Sequence, residues 1–196
     1  MEKRRYYTFY SLLIFAFACN PASDPQNQQS NPMTTGSEGR SNPVELQGET
    51  KVDDDAMTFM KKAAHGGTME VEFGKLAQEK AQNPRVKMFG EMMVRDHTTA
   101  NQALLDLGTR KAVQINAALS TEHQQKLEDL KKLSGAQFDR QYMDMMVKDH
   151  VKDIEQFEQA ADNRDPDVNQ FATKTLTVLR MHLDSAKAIH ASLTKK

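Results

Sequence analysis

The sequence predicts an all-α protein, an antiparallel four-helix bundle with a short extra helix between helices two and three. Apolar residues recur at helical spacing over four long stretches, and no stretch shows the alternation of a strand. Short links join the first two and the last two stretches, as in antiparallel helical neighbours. A six-residue motif also occurs twice, as MMVRDH ending at His97 and as MMVKDH ending at His150, which is typical of repeated helical units.

Each predicted helix begins at a residue that can cap it. Aspartate, asparagine and serine side chains accept hydrogen bonds from the free N–H groups of a first helical turn, and proline is tolerated there. The predicted boundaries are Asp53 to about Ala81, Asn83 to about Val113, about Ala136 to Ala161, and Asp165 onward for the long helices, with a short helix between Ser120 and Gly135.

The N-terminus has the composition of an export signal followed by a tether. Residues 1–18 combine a basic start with an apolar core that is too short to span a bilayer. Cys19 follows directly and resembles the lipidated residue of a lipoprotein. Residues 19–51 are rich in Pro, Gln, Asn and Ser and offer little to bury, so we expect a flexible segment. The helical domain is predicted over 52–196.

This organisation predicts an exported protein that a lipid on Cys19 holds at a membrane of the cell envelope, facing the periplasm or the cell surface. The alternative is a cleaved, soluble, secreted chain with a free thiol. Cys19 is the only cysteine, so no disulfide can form within the chain. The net charge of −1 and the few aromatic residues do not favour a nucleic-acid partner. A protein partner cannot be named.

Four ionisable side chains fall on the apolar stripes of the long helices, one on each helix. They are Glu70, His97, His150 and His182. Counted from the predicted hairpin turns, Glu70 lies at the height of His97, and His150 lies within about one turn of His182. Inward imidazoles and carboxylates at one height are typical of metal sites in helical bundles. This ligand set suits Zn, Fe, Mn or Cu rather than Ca or Mg.

Three aspartates are placed to support these residues, namely Asp96, Asp149 and Asp153. Sequence neighbours do not face each other on a helix, so Asp96 is poorly placed to reach the adjacent His97. By the symmetry of the repeat, we expect Asp96 to reach His150 and Asp149 to reach His97. Each aspartate would then hold an imidazole in one tautomer.

Two interpretations of this polar cluster remain open. In the first, the histidines and Glu70 bind a transition metal, and the protein has a stress-protective or metal-handling role. In the second, a metal-free network of Asp, His and Glu fixes the helix register of a structural or partner-binding module. Unpaired buried charge costs several kcal/mol, so both interpretations require pairing. No nucleophile elbow or phosphate loop is present, so we do not expect an enzyme.

Three stretches resemble the bacterial envelope family called domain of unknown function 4142. They run from AAHGG to TTAN (63–101), from SGAQFDRQY to QAA (134–161) and from DPDVNQF to DSA (165–186). The similarity covers nearly everything from Ala56 to Leu193. The resemblance implies a ferritin-like four-helix bundle and export, without an established activity. The Glu-x-x-His motif of true ferritins does not occur in this sequence, so ferroxidase chemistry is not implied.

The predicted lipid anchor can be tested by replacing its attachment residue. We expect Cys19→Ala to move the protein from the membrane pellet to the soluble fraction after cell lysis, because the variant lacks the thiol that carries the lipid. Fractionation of wild type and variant side by side checks this expectation. A wild-type protein that is already soluble would favour plain secretion.

Overall fold

The computed structural model describes residues 52–195, and the regular secondary structure of this part of the chain is entirely helical. It contains five α-helices and no β-strand, which confirms the predicted all-α class. The helices are α1 (Asp54–Lys80), α2 (Pro84–Arg110), α3 (Thr121–Lys131), α4 (Gly135–Ala161) and α5 (Pro166–Thr194). The predicted signal peptide, Cys19 and the tether lie outside the described residues. No described helix combines the length and the apolar composition that crossing a membrane requires.

Side-chain caps begin four of the five helices, at the residues that the sequence predicts. Each cap oxygen accepts a hydrogen bond from a free N–H group of the first turn. The pairs are Asp53 with Ala56 at 2.7 Å, Asn83 with Arg85 at 2.9 Å, Ser120 with His123 at 3.1 Å, and Asp165 with Asp167 at 3.0 Å. Pro84 and Pro166 occupy the first turns of α2 and α5, where a missing N–H costs nothing.

The four long helices pack against one another around a shared interior. α1 packs along α2 and α4 packs along α5, and further contacts join α1 to α4 and α2 to α5. The Phe59 ring of α1, for example, meets the Phe157 ring of α4 edge-on with centroids 4.9 Å apart. α3 lies against α1 and α4, and of its residues only Leu130 is buried.

A polar layer divides the apolar interior into two clusters. One cluster includes Phe73, Phe89, Met93, Tyr142, Met146 and Ala186, and the other includes Phe59, Leu104, Phe157, Ala172 and Leu179. On α2, α4 and α5 a buried histidine lies between the segments that contribute to the two clusters, and on α1 a buried glutamate lies near the start of the segment that contributes to the first cluster. These residues are Glu70, His97, His150 and His182. The clusters therefore exclude water from the polar layer on both sides.

Two glycines allow α1 and α2 to approach closely next to this layer. A Cβ atom added at Gly74 would lie 2.7 Å from the carbonyl oxygen of Gly90, and a Cβ at Gly90 would lie 2.7 Å from the carbonyl oxygen of Gly74. Neither backbone can move without shifting its helix. The crossing therefore requires glycine at both positions, and it sets the distance between the helices that carry Glu70 and His97.

This close crossing generates a stability test with an internal control. We expect Gly74→Ala to lower the free energy of unfolding by about 1–3 kcal/mol, because the added methyl group overlaps backbone. Gly66→Ala on the same helix is the control, since its nearest neighbour would be Asp153 Oδ1 at an ordinary 3.8 Å. The control should be neutral or stabilising, by up to about 1 kcal/mol. Equal effects in urea denaturation would contradict the proposed crossing.

Candidate metal centre

Three histidines from three different helices meet in the polar layer. His97 of α2 is 5% exposed, and His150 of α4 and His182 of α5 are completely buried. Their ring centroids are 5.9 Å apart for His97 and His150, 5.3 Å for His97 and His182, and 5.4 Å for His150 and His182. One ring nitrogen from each histidine lies within 4.8 Å of the other two. The sequence placed His182 about a turn away, whereas its ring lies directly against the others.

The carboxylate of Glu70, on α1, lies next to the Nδ1 atoms of two of these rings. The Nδ1 atom of His97 donates a hydrogen bond to Glu70 Oε2 at 2.9 Å, and the Nδ1 atom of His150 lies 3.3 Å from Oε1. Burial alone would raise the pKa of Glu70, but the adjoining His97 and His150 rings, with the hydrogen bond from His97, outweigh burial and lower that pKa. Glu70 is therefore an anion that accepts a hydrogen bond from the ring of His97, while its other oxygen faces the ring of His150 without a hydrogen bond.

The other contacts of the rings fix their tautomers. His150 Nδ1 lies 2.9 Å from the carbonyl oxygen of Met146, which can only accept, so Nδ1 carries the proton. His182 Nε2 lies 3.0 Å from Oδ2 of Asp96 and donates to that carboxylate. Each of the three rings thus has one nitrogen engaged as a donor, and in a neutral ring the second nitrogen is a free acceptor.

The free acceptors are all buried, and none has a hydrogen-bond partner within residues 52–195. They are His97 Nε2, His150 Nε2 and His182 Nδ1. Burial lowers the pKa of His150, and it lowers the pKa of His182 to about 4 despite the opposing effect of the hydrogen bond that His182 donates to Asp96. These two rings are therefore neutral near pH 7, and each offers an unprotonated lone pair to the interior.

This arrangement is compatible with metal binding. Transition metals bind neutral imidazole nitrogens, and the opposite N–H of a ligating histidine is usually held by a carboxylate or a backbone carbonyl. Ligand nitrogens around tetrahedral zinc are roughly 3.3 Å apart, because each bond is about 2.0–2.1 Å long. The separations of up to 4.8 Å in this structure need only a modest contraction to reach that value.

The three predicted supporting aspartates have partners that differ from those expected. Asp96 contacts His182 rather than His150, because α2 packs mainly against α1 and α5 and its flank therefore faces α5. Asp149 was expected to hold His97, but Glu70 occupies that ring nitrogen, and Asp149 Oδ2 has no hydrogen-bond partner among the described residues. The prediction that Asp96 contacts His150 and that Asp149 contacts His97 was therefore wrong.

Asp149 and Asp153 lie where the charge of Glu70 acts on them. Burial raises the pKa of Asp149, and the repulsion of Glu70 adds to this effect while Lys126 opposes it. Burial and Glu70 together raise the pKa of Asp153 well above its usual range. Asp153 lines a small cavity of about 20 Å³ with Glu70 and His97. Both aspartates therefore adjoin the centre without contacting its free nitrogens.

Several residues around the centre were not predicted from the sequence. Phe89 packs against His150 and His182 with ring centroids 6.4 and 6.5 Å apart, and the Met146 carbonyl orients His150. Tyr142 is buried with an unpartnered hydroxyl, and burial together with the charge of Glu70 raises its pKa. Away from the centre, at the connection between α1 and α2, Asp139 is also buried and accepts hydrogen bonds from the backbone N–H groups of residues 82 and 83. The sequence feature that could have identified Asp139 is its position next to the apolar stripe of α4.

A family model described as Domain of unknown function (DUF4142) matches residues 41–189, so the chain belongs to this family. The resemblance found in the sequence is thereby confirmed. No curated protein sequence matches the chain significantly. The structure is similar to one described as the crystal structure of a DUF305 fragment from Deinococcus radiodurans, with a TM-score of 0.65 and 14% identity. The match covers 72% of this chain and 98% of that chain, and at this identity it indicates a shared fold alone.

Proposed function

We propose that this protein binds one transition-metal ion in its helical interior through His97 Nε2, His150 Nε2 and His182 Nδ1. Two observations support this function: one ring nitrogen of each histidine lies within 4.8 Å of the other two, and each ring has one buried nitrogen without a hydrogen-bond partner in residues 52–195. Three imidazoles suit Zn, Fe, Mn or Cu, whereas Ca and Mg prefer oxygen ligands.

The free acceptors argue against the metal-free network. An unsatisfied buried polar atom costs about 1–3 kcal/mol, and three acceptors cannot satisfy one another because none of them has a hydrogen to donate. A single cation contacts all three lone pairs at once. The hydrogen bonds of Glu70 and Asp96 account for only the outer nitrogens of the cluster. A bound metal ion would therefore account for the unpartnered ring nitrogens, which a metal-free network that only fixes the helix register does not explain.

In this proposal Glu70 holds the ligands instead of binding the metal, although the sequence suggested direct coordination. Its two oxygens face the Nδ1 atoms of His97 and His150, on the side opposite their free nitrogens. Carboxylates in this position raise the basicity of an imidazole and fix its orientation. Glu70 and Asp96 also supply two negative charges that offset the charge of a buried divalent ion.

We further propose that the four long helices form the antiparallel, ferritin-like bundle that the sequence predicts. The support is that connections of only three and four residues join helix pairs that contact each other along their length. Such a short connection requires the chain to reverse direction. An experimental structure in which α1 and α2 run in the same direction would contradict this arrangement.

The proposed setting of this metal site is the cell envelope. A lipid on Cys19 would anchor the domain through the segment 19–51, and the bundle would store, buffer or sequester a metal ion in a stress-protective or metal-handling role. This setting is supported by the basic and apolar N-terminal residues and by the single cysteine that follows them. If metal binding fails, the favoured alternative is a structural or partner-binding module with a metal-free polar core.

Metal titration of the purified, metal-free protein tests the proposed site. We expect Zn²⁺, Mn²⁺, Fe²⁺ or Cu²⁺ to raise the melting temperature, because binding stabilises the folded state by about 2.7 kcal/mol when the free ion is at 100 times Kd. His97→Gln combined with His150→Gln should abolish the rise, since one imidazole remains. Isothermal titration of the same samples gives the stoichiometry, for which we expect one ion per chain.

His190→Ala is the matched control, because His190 lies on α5 with His182 but outside the cluster. This variant should retain the metal-dependent rise. A wild-type protein with no shift in the presence of any of the four ions would contradict the metal site. So would an equal loss of the shift in His190→Ala.

A further inference from the structure

Asp96 is the most exposed of the residues that hold the three rings. Its side chain is 19% exposed, against 2% for Glu70, 7% for His97 and none for His150 or His182. It is also bonded directly to a ligand ring, through the 3.0 Å hydrogen bond from His182 Nε2. Among the residues that contact the centre, Asp96 therefore provides the most direct connection between solvent and the buried nitrogens.

The guanidinium of Arg95 is paired with the carboxylate of Asp96 on its solvent-exposed side. Its Nε atom lies 2.7 Å from Asp96 Oδ1 and its Nη2 atom lies 3.0 Å from Asp96 Oδ2, so both carboxylate oxygens are engaged. Oδ2 is shared between Arg95 and His182. The Arg95 side chain is itself 69% exposed, so it can leave the carboxylate without disturbing the packed interior.

The second copy of the repeated motif lacks this arrangement. Its one difference from the first copy is Lys148 in place of Arg95. Lys148 pairs with Asp144 at 2.6 Å, one turn away, and not with the adjacent Asp149. Asp149 contacts none of the ring nitrogens through a hydrogen bond in residues 52–195, since each engaged nitrogen has another partner. An arginine paired with an aspartate that also contacts a histidine ring is therefore found in the copy that ends at His97 and not in the copy that ends at His150.

Building on the proposed metal site, we propose that Asp96 is an outer site at which a cation binds first, and that Arg95 closes the path from this site to His182. The carboxylate of Asp96 accepts hydrogen bonds from Arg95 and from His182 Nε2, so its two oxygens already contact positive or donating groups. An arriving cation replaces the guanidinium as the positive partner of the carboxylate. It then lies next to His182, whose second nitrogen faces the interior.

An alternative path would run through the cavity of about 20 Å³ beside Glu70, which Gly66, Gly67, Asn101 and Asp153 also line. A cavity of that size holds about one water molecule. On either path the first carboxylate that a cation meets contacts an engaged ring nitrogen, but the Asp96 side chain is 19% exposed and the Glu70 side chain only 2%. This exposure favours the Asp96 path, and the two paths predict different sensitive residues.

A gate and a positioning residue have different kinetic signatures. Opening a gate raises the association and dissociation rate constants by the same factor, so their ratio, Kd, does not change. Loss of a residue that positions Asp96 against His182 weakens the bound state, so Kd rises through faster dissociation alone. Measuring both rate constants together with Kd therefore separates these two roles of Arg95.

The experiment uses Co²⁺ as an optical probe, with stopped-flow absorbance for the rates and equilibrium titration for Kd. Arg95→Lys keeps the positive charge but loses the planar fork that engages both oxygens of Asp96. We expect this variant to raise both rate constants by about two- to fivefold, the size expected for an exposed ion pair, with Kd unchanged. Lys148→Arg, at the same motif position in the other copy, is the control and should change none of the three values.

Asp96→Asn tests the outer site itself. It should slow association by about tenfold and weaken the dependence of the association rate on ionic strength, because a charge that attracts the cation is lost. Gly66→Ala, which adds a methyl group to the lining of the cavity, should leave association unchanged. Slower association in Gly66→Ala with normal rates in Arg95→Lys would overturn the proposal in favour of the cavity path. A raised Kd with unchanged association in Arg95→Lys would make Arg95 a positioning residue and would also overturn it.

Failure of this inference can be distinguished from failure of the proposed function. Wild-type protein that takes up no Co²⁺ and none of the four ions named above would overturn the metal site and the access path together. Wild-type protein that binds Co²⁺, with rates that Arg95→Lys does not alter, would overturn the access path alone.

Discussion

The structure depends on one feature of its three buried imidazoles: in each ring, one nitrogen donates a hydrogen bond to a neighbouring acceptor and the other nitrogen has no hydrogen-bond partner among residues 52–195. Outer nitrogens donate to Glu70, to the Met146 carbonyl and to Asp96, and these acceptors leave each ring one tautomer. Because imidazole has two nitrogens, fixing the proton on one side leaves a lone pair on the other. Each ring therefore keeps one buried lone pair without a hydrogen-bond partner in residues 52–195, which is compatible with a cation bound among the three rings.

The rest of the fold shields this polar layer from bulk solvent and brings the helices that carry it close together. Apolar clusters lie on both sides of it, so His150 and His182 stay neutral and Glu70 is removed from solvent. The glycine crossing of α1 and α2 brings two of the polar residues within 2.9 Å across the helix pair. Asp139 holds the connection between the same helices through two backbone N–H groups, which fixes the relative heights of α1, α2 and α4.

Much of this could be predicted because helical periodicity is a strong signal. The apolar stripes and cap residues located the long helices, and counting from the turns placed Glu70 beside His97. The partners of Asp96 and Asp149 could not be predicted, because a residue at the edge of a stripe can face either neighbouring helix. The role of the Met146 carbonyl was equally hidden, since every residue has such a group and only the ring orientation selects one.

The tautomers of the three histidines are the most direct test of this account. Long-range ¹H–¹⁵N NMR spectra of the metal-free protein near pH 7 distinguish protonated from unprotonated ring nitrogens. The account predicts protonated Nδ1 in His97 and His150, protonated Nε2 in His182, and unprotonated nitrogens at the three remaining positions. Addition of Zn²⁺ should shift these three unprotonated resonances together. A protonated Nε2 in His97 or His150, or doubly protonated rings at that pH, would contradict the account.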